Sequence, residues 1–204
     1  MNNLSKMFSE STTSLQYADK YYTYLSHCLT EVNKKPISEL IEAILECRKN
    51  NRFVFLIGNG GSAATATHFA NDLLIGPRFT AQGIKALSLC DNQSIITAVG
   101  NDMGYEEIFT KQLENLASKD DLLIAISASG NSPNIMHSIK YAKEKGLKIA
   151  GLSGFDGGAL RTSSDIKIHL ETPKGEYAPV EDFHMTIVHL IGSYIRQMVM
   201  KESL

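Results

Sequence analysis

The chain has 204 residues, 43% of them hydrophobic and 21% charged, with a formal net charge of −2. That length suits one domain with a sizeable core, and the near-neutral charge excludes a broad surface for nucleic acid or an anionic membrane, so any anion site must be local. Cys28, Cys47 and Cys90 are too few and too scattered for a disulfide framework or a zinc ribbon; with no signal-like segment and no apolar run of about twenty residues, the expected compartment is the cytoplasm.

Residues 1–12, MNNLSKMFSEST, are polar and are expected to fray. From Ser14 to Glu31 and from Pro36 to Lys49, apolar residues recur at helical spacing, as in Ile37, Leu40, Ile41, Ile44 and Leu45. Both helices precede any strand, so residues 1–50 read as a helical extension of an α/β domain over residues 51–204. The extension either covers the sheet or, through faces such as YADKYYTYLSHCL, meets another subunit.

Phe53 to Ile57 is a run of apolar β-formers, suited to a strand buried on both faces of a parallel sheet. Gly58, Gly60 and Gly61 then allow a sharp turn, and Ser62 can cap the helix that follows. Free N–H groups and the positive helix end would face one spot, where an anion could sit. On that helix His68 and Asp72, four residues apart, face one way, a spacing suited to an acid/base pair or to two metal ligands.

Further apolar runs follow at 84–90, 121–127, 147–154 and 165–170, most of them separated by helical patterns such as Tyr105–Ala117 and Pro133–Lys145. Alternating strands and helices imply a doubly wound parallel sheet with right-handed crossovers, whose ligands bind at the carboxyl ends of the strands. The segment ISASGNSPN, 126–134, lies at one such end. It gathers Ser127, Ser129 and Ser132 ahead of Pro133, either as a second anion loop or as a capped turn. The last helix carries His184 and His189 behind Pro179, Glu181 and Asp182. On an ideal wheel Asp182 shares a side with His189, whereas Glu181 lies about 80° away; spacing alone prefers Asp182 as the partner.

Six segments together resemble one family: GNGGSA at 58–63, HFAND at 68–72, AVGNDMGYEEIF at 98–109, SASGNS at 127–132, GLSG at 151–154 and EDFHMTIVH at 181–189. In order and spacing they are similar to the SIS (sugar isomerase) domain, and within it to the phosphoheptose isomerases. The resemblance implies a five-stranded parallel sheet with an N-terminal helical extension, a homotetramer with sites at subunit interfaces, and isomerisation of sedoheptulose 7-phosphate to D-glycero-D-manno-heptose 7-phosphate for a lipopolysaccharide or capsule pathway. It places the acid/base pair on Asp72 and His189, sugar-phosphate contacts on Asn59, Gly60, Gly61, Ser62, Asp102 and Glu181, and the phosphate cradle on Ser127, Ala128, Ser129 and Ser132. A zinc set would comprise His68, Asp72, Glu181 and His189.

The chain departs from the family's usual pattern at four positions: Asp72 for a glutamate, Glu181 for a glutamine, Ala128 for a threonine and Ala178 for an aspartate. An aspartate is shorter by one methylene, roughly 1 to 1.5 Å, and a misplacement of that order can cost ~100-fold in rate. An isomerase of another sugar phosphate, and a non-catalytic SIS protein that binds phosphosugars or a replication partner, are the alternatives. A dinucleotide enzyme is disfavoured: Gly58, Gly60 and Ala63 satisfy G-x-G-x-x-A, but Asp91 lies too far along to be the acidic residue such sites need, so no nucleotide cofactor is expected.

Overall fold

The computed structural model describes residues 2–76 and 83–202. Five strands, β1 (Val54–Gly58), β2 (Ala86–Ser88), β3 (Leu122–Ser127), β4 (Lys148–Ser153) and β5 (Ile166–His169), form one parallel sheet in the order β2-β1-β3-β4-β5. β1 leads outward to β2 and β3 leads the other way to β4, so the connections diverge between β1 and β3, where a doubly wound sheet opens a crevice. Val54 pairs with Leu122 and Gly58 with Ile126, which brings the two strands' carboxyl ends level.

β1 and β3 are buried along their whole length, as continuous apolar strands of a parallel sheet should be. Their side chains alternate between two cores. Val54, Leu56, Leu122, Ile124 and Ile126 face the layer of α3 (Lys35–Lys49), α4 (Gly61–Ile75) and α9 (Tyr177–Glu202). Phe55, Ile57, Leu123 and Ala125 face α6 (Thr110–Leu116), α7 (Pro133–Lys145) and α8 (Gly158–Ser163). α3 buries Leu40 and Ile44 completely in the first core, so this helix covers the sheet.

Three local expectations change. Residues 1–12 are not frayed throughout: α1 (Asn3–Ser9) forms, with Asn2 accepting from Ser5 N–H at 2.9 Å as its cap. Its anchor lies far away in the chain. Glu176, fully buried, accepts the Asn3 N–H through one oxygen and the Tyr24 hydroxyl of α2 (Ser14–Glu31) at 2.6 Å through the other. The helix expected over 105–117 is a 3₁₀ turn, Tyr105–Glu107, followed by α6, and a further helix, α5 (Gln93–Asp102), precedes it. α5 buries no residue fully and offers only a short stripe, Ile96 and Val99 half-buried against the second core; its clearer signal is the Asn92 cap, which accepts from Ile95 N–H at 3.1 Å.

Candidate active site

The turn after β1 places Gly60 at φ 54°, ψ −124°, a conformation open to glycine and strained for other residues. At Gly61 the requirement is space. A Cβ there would run into the carboxylate of Glu181, which leans from α9 onto the first turn of α4. The unpaired N–H groups and positive end of α4 favour negative charge at that spot, and the protein's own Glu181 stands there. Beside the turn, the Cys90 thiol donates to the Gly58 carbonyl at 3.4 Å, and burial raises its pKa, which keeps it protonated.

Farther along α4, His68 and Asp72 face α9 as their spacing predicts, with His68 Nε2 3.3 Å from Asp72 Oδ2. His189 completes the cluster, its Nε2 3.1 Å from that of His68 and its ring edge-on to the His68 ring. One ligand atom from each of the three residues lies within 4.8 Å of the others, so the group could hold a metal ion. Gly192 on α9 lies against Asp72, and a Cβ there would stand in ordinary contact, 3.4 Å from Cβ and Oδ2 of Asp72. At 3.3 Å the shorter aspartate still reaches His68. Glu181 is not in the cluster, so the structure assembles three of the four residues of the expected metal set.

Asp182, the partner that helical spacing prefers for His189, is engaged elsewhere. Its carboxylate accepts the Tyr21 hydroxyl of α2, and burial together with that bond pushes the Tyr21 pKa upward. The wheel was right about the side: Asp182 and His189 both line a cavity of about 590 Å³ between α2 and α9, with Tyr17, Tyr21 and Met185. A cavity of similar size, about 620 Å³, lies at the opposite end of the sheet around Arg52, Asp120 and Lys148, away from the histidine cluster.

The loop after β3 is built from its own backbone. Buried Ser127 Oγ accepts from Gly130 N–H at 3.1 Å, and half-buried Ser129 Oγ accepts from Asn131 N–H at 3.4 Å. Ala128 is buried, its carbonyl taken by Gly154 N–H at 3.0 Å. Ser132 holds the cap position of α7, with Pro133 in the first turn as expected, yet its hydroxyl makes no capping bond and stays available to a ligand. The loop is therefore not simply a serine-capped turn.

Asn59 and Asn134 pair amide to amide across the two loops, and the Tyr105 hydroxyl donates to Asn59 Oδ1 at 3.1 Å. Through Tyr105 the segment bearing Asp102 joins the same rim; Asp102 itself is exposed and accepts from Asn101 at 2.7 Å. Sequence reasoning assigned no part to Tyr105 or Asn134. Tyr105 falls inside the quoted segment 98–109 and Asn134 closes the quoted segment 126–134, which is the signal that could have found them.

Residues 16–154 match the SIS domain family. The phosphoheptose isomerase of Trichlorobacter lovleyi is 39% identical over 162 residues, 79% of this chain and 82% of that protein; that of Aliarcobacter butzleri is 39% identical over 81% and 86%. Among solved structures, the phosphoheptose isomerase of Francisella tularensis superimposes with a TM-score of 0.81 at 31% identity, covering 91% of this chain and 100% of that one. The enzyme from Neisseria gonorrhoeae also reaches 0.81, at 28% identity with the same coverage.

Proposed function

The chain belongs to the SIS domain family, among the phosphoheptose isomerases, and from that premise we propose how its own residues carry the isomerisation of sedoheptulose 7-phosphate to D-glycero-D-manno-heptose 7-phosphate. The supporting observation is the His68–Asp72–His189 cluster, formed where α4, the helix that starts at the glycine turn, packs against α9. The loop of Ser127, Ser129 and Ser132 takes the phosphate, with the free Ser132 hydroxyl and the N-terminus of α7 as donors. The turn at Gly60, Gly61 and Ser62 walls the sugar, with Asp102 at the rim.

Asp72 removes the proton from the carbon beside the ketose carbonyl and returns it to the neighbouring carbon. His189 moves the hydroxyl proton between the two oxygens, so that a cis-enediol forms and collapses to the aldose. His68, 3.1 Å from His189, fixes which ring face His189 presents.

The cluster also fits zinc. Tetrahedral zinc with ligand distances of 2.0–2.1 Å separates neighbouring donor atoms by roughly 3.3–3.4 Å, close to the 3.1 Å and 3.3 Å found here. His68, Asp72 and His189 would hold the ion, which would polarise the substrate carbonyl. A second copy of the chain would cover the open face: Tyr22 on α2 is exposed at the His189 cavity, and Leu15 on α2 and Leu190 and Tyr194 on α9 are exposed on the two helices that form it, which suits the homotetramer expected from the resemblance. Three free thiols suit a cytoplasmic enzyme.

The deciding experiment is isomerisation of sedoheptulose 7-phosphate by purified protein, with added zinc and with a chelator, for the unmodified chain and Asp72→Asn. Loss of a positioned acid/base group should lower the rate by ~10²–10⁴-fold. An undiminished rate in Asp72→Asn would remove Asp72 from the mechanism, and indifference to the chelator would remove the metal.

A further inference from the structure

We propose that Asn134 is a positioning residue: its side-chain amide, paired with that of Asn59, sets the distance between the glycine turn that walls the sugar and the serine loop that takes the phosphate. This rests on the function proposed above.

The two loops leave neighbouring strands, β1 and β3, and each feeds its own helix. A ligand with its sugar on one loop and its phosphate on the other is held correctly only if the gap between them is fixed. Asn134, second residue of α7 and 1% exposed, spans that gap. Its Nδ2 donates to Asn59 Oδ1 at 2.8 Å, and Asn59 Nδ2 donates back to Asn134 Oδ1 at 2.9 Å. Partly buried and reciprocal, these bonds are stronger and better fixed than exposed ones.

The hydrogen-bonding capacity of an amide sharpens the assignment. Asn59 Oδ1 has two lone pairs, and both have donors, from Asn134 and from Tyr105. One of the two Nδ2 hydrogens is given to Asn134. A single N–H is all that Asn59 retains for a substrate, so most of its side chain serves the clip. Asn134 Oδ1 also accepts from Ile135 N–H at 3.0 Å, which ties the clip to the first turn of α7, where the phosphate donors lie. Tyr105 extends it to a third segment: Gly104, at φ 103°, turns the chain between Asp102 and Tyr105, and the tyrosine bond to Asn59 fixes where that turn rests.

The experiment is a cycle of Asn59→Ala, Asn134→Ala and the double variant, all neutral changes, read by kinetics on sedoheptulose 7-phosphate, by calorimetric affinity for that ligand and for inorganic phosphate, and by thermal midpoint. Asn134→Ala should lower kcat/KM ~10–100-fold, the cost of misplacing reacting groups by about an ångström. Its affinity for inorganic phosphate, which needs the serine loop alone, should stay within about twofold, and the double variant should match Asn59→Ala, because the two residues act as one unit. Affinities for both ligands falling together with the thermal midpoint would show that Asn134 merely supports α7 and would overturn the proposal. So would additive losses in the double variant. Unmodified protein that binds both ligands without interconverting the sugar defeats the isomerase mechanism alone, since the ratio of affinities still judges the clip; unmodified protein that binds neither defeats both.

Discussion

His184 and His189 sit on the same helix, five residues apart and so about 140° around its axis, and the structure gives them opposite surroundings. His184 is fully buried on the inner face of α9 beside Phe183, near His169 and the Ser153 backbone, with neither ring nitrogen in a hydrogen bond of ordinary geometry. Burial pushes its pKa down to about 4; the Ser153 backbone offsets part of that, and His169 adds to it. A ring so placed stays neutral at pH 7. His189 faces outward, exposed, within reach of His68. One residue type in one motif thus supplies a packed core group and an open group, the one to which the proposed mechanism gives proton transfer, and solvation separates the two.

The comparison can be broken most directly at its reactive end. His189→Asn should lower kcat/KM by ~10²–10⁴-fold and, as an exposed substitution, should move folding stability by no more than about 0.5 kcal/mol. Kinetics and denaturant unfolding on one preparation read both; retained activity would leave the open histidine with no more chemistry than the buried one. The buried end is tested by pH. An unfolded histidine titrates near 6.5, whereas folded His184 resists protonation down to about 4. Between those values the unfolded chain binds more protons, so the stability due to neutral His184 is complete above pH 6.5 and is lost as the pH falls toward 4, on the order of 3 kcal/mol in all. His169, also lowered chiefly by burial, acts in the same direction. Unfolding free energies at pH 7 and pH 4.5 should differ less in His184→Leu than in the unmodified protein. Equal differences would mean that His184 is not the group being protonated.

What could be read in advance follows a physical line. β1 and β3 to β5 are apolar runs whose burial depends on their own residues, and α2 and α7 begin and end where capping and periodicity put them. The carboxyl-end loops follow from strand order, so the gathering of 58–62 with 127–134 was legible as well. Pairings between distant side chains were not. α1 is anchored by Glu176, 173 residues beyond Asn3. Asp182 turns to Tyr21, although the wheel rightly put it on the His189 side, because a wheel describes one helix and not the neighbour packed on it. Glu181, expected to join His68, Asp72 and His189, leans on Gly61 instead, a contact set by where α9 crosses α4.

Gly58 and Gly61 carry the division between rigid and yielding surroundings into the turn itself, and give the smaller effects. A Cβ at Gly58 would meet the backbone of Ser62 and Ala63, which cannot give way without moving the start of α4. Gly58→Ala should therefore cost about 1–3 kcal/mol, as overpacking does. The nearest atoms to a Cβ at Gly61 are those of the Glu181 carboxylate, the end of a side chain that can swing aside. Alanine is the better helix former by up to about 1 kcal/mol, so Gly61→Ala should change stability by no more than about that while displacing Glu181 from the helix end. The thermal midpoint separates the two variants, and combining Gly61→Ala with Glu181→Ala tests the cause. If the carboxylate is what the new methyl displaces, any change in KM from Gly61→Ala should shrink when Glu181 is already truncated. A change of the same size in both backgrounds would place the conflict with the methyl and the substrate, and leave Glu181 no part in shaping the sugar wall.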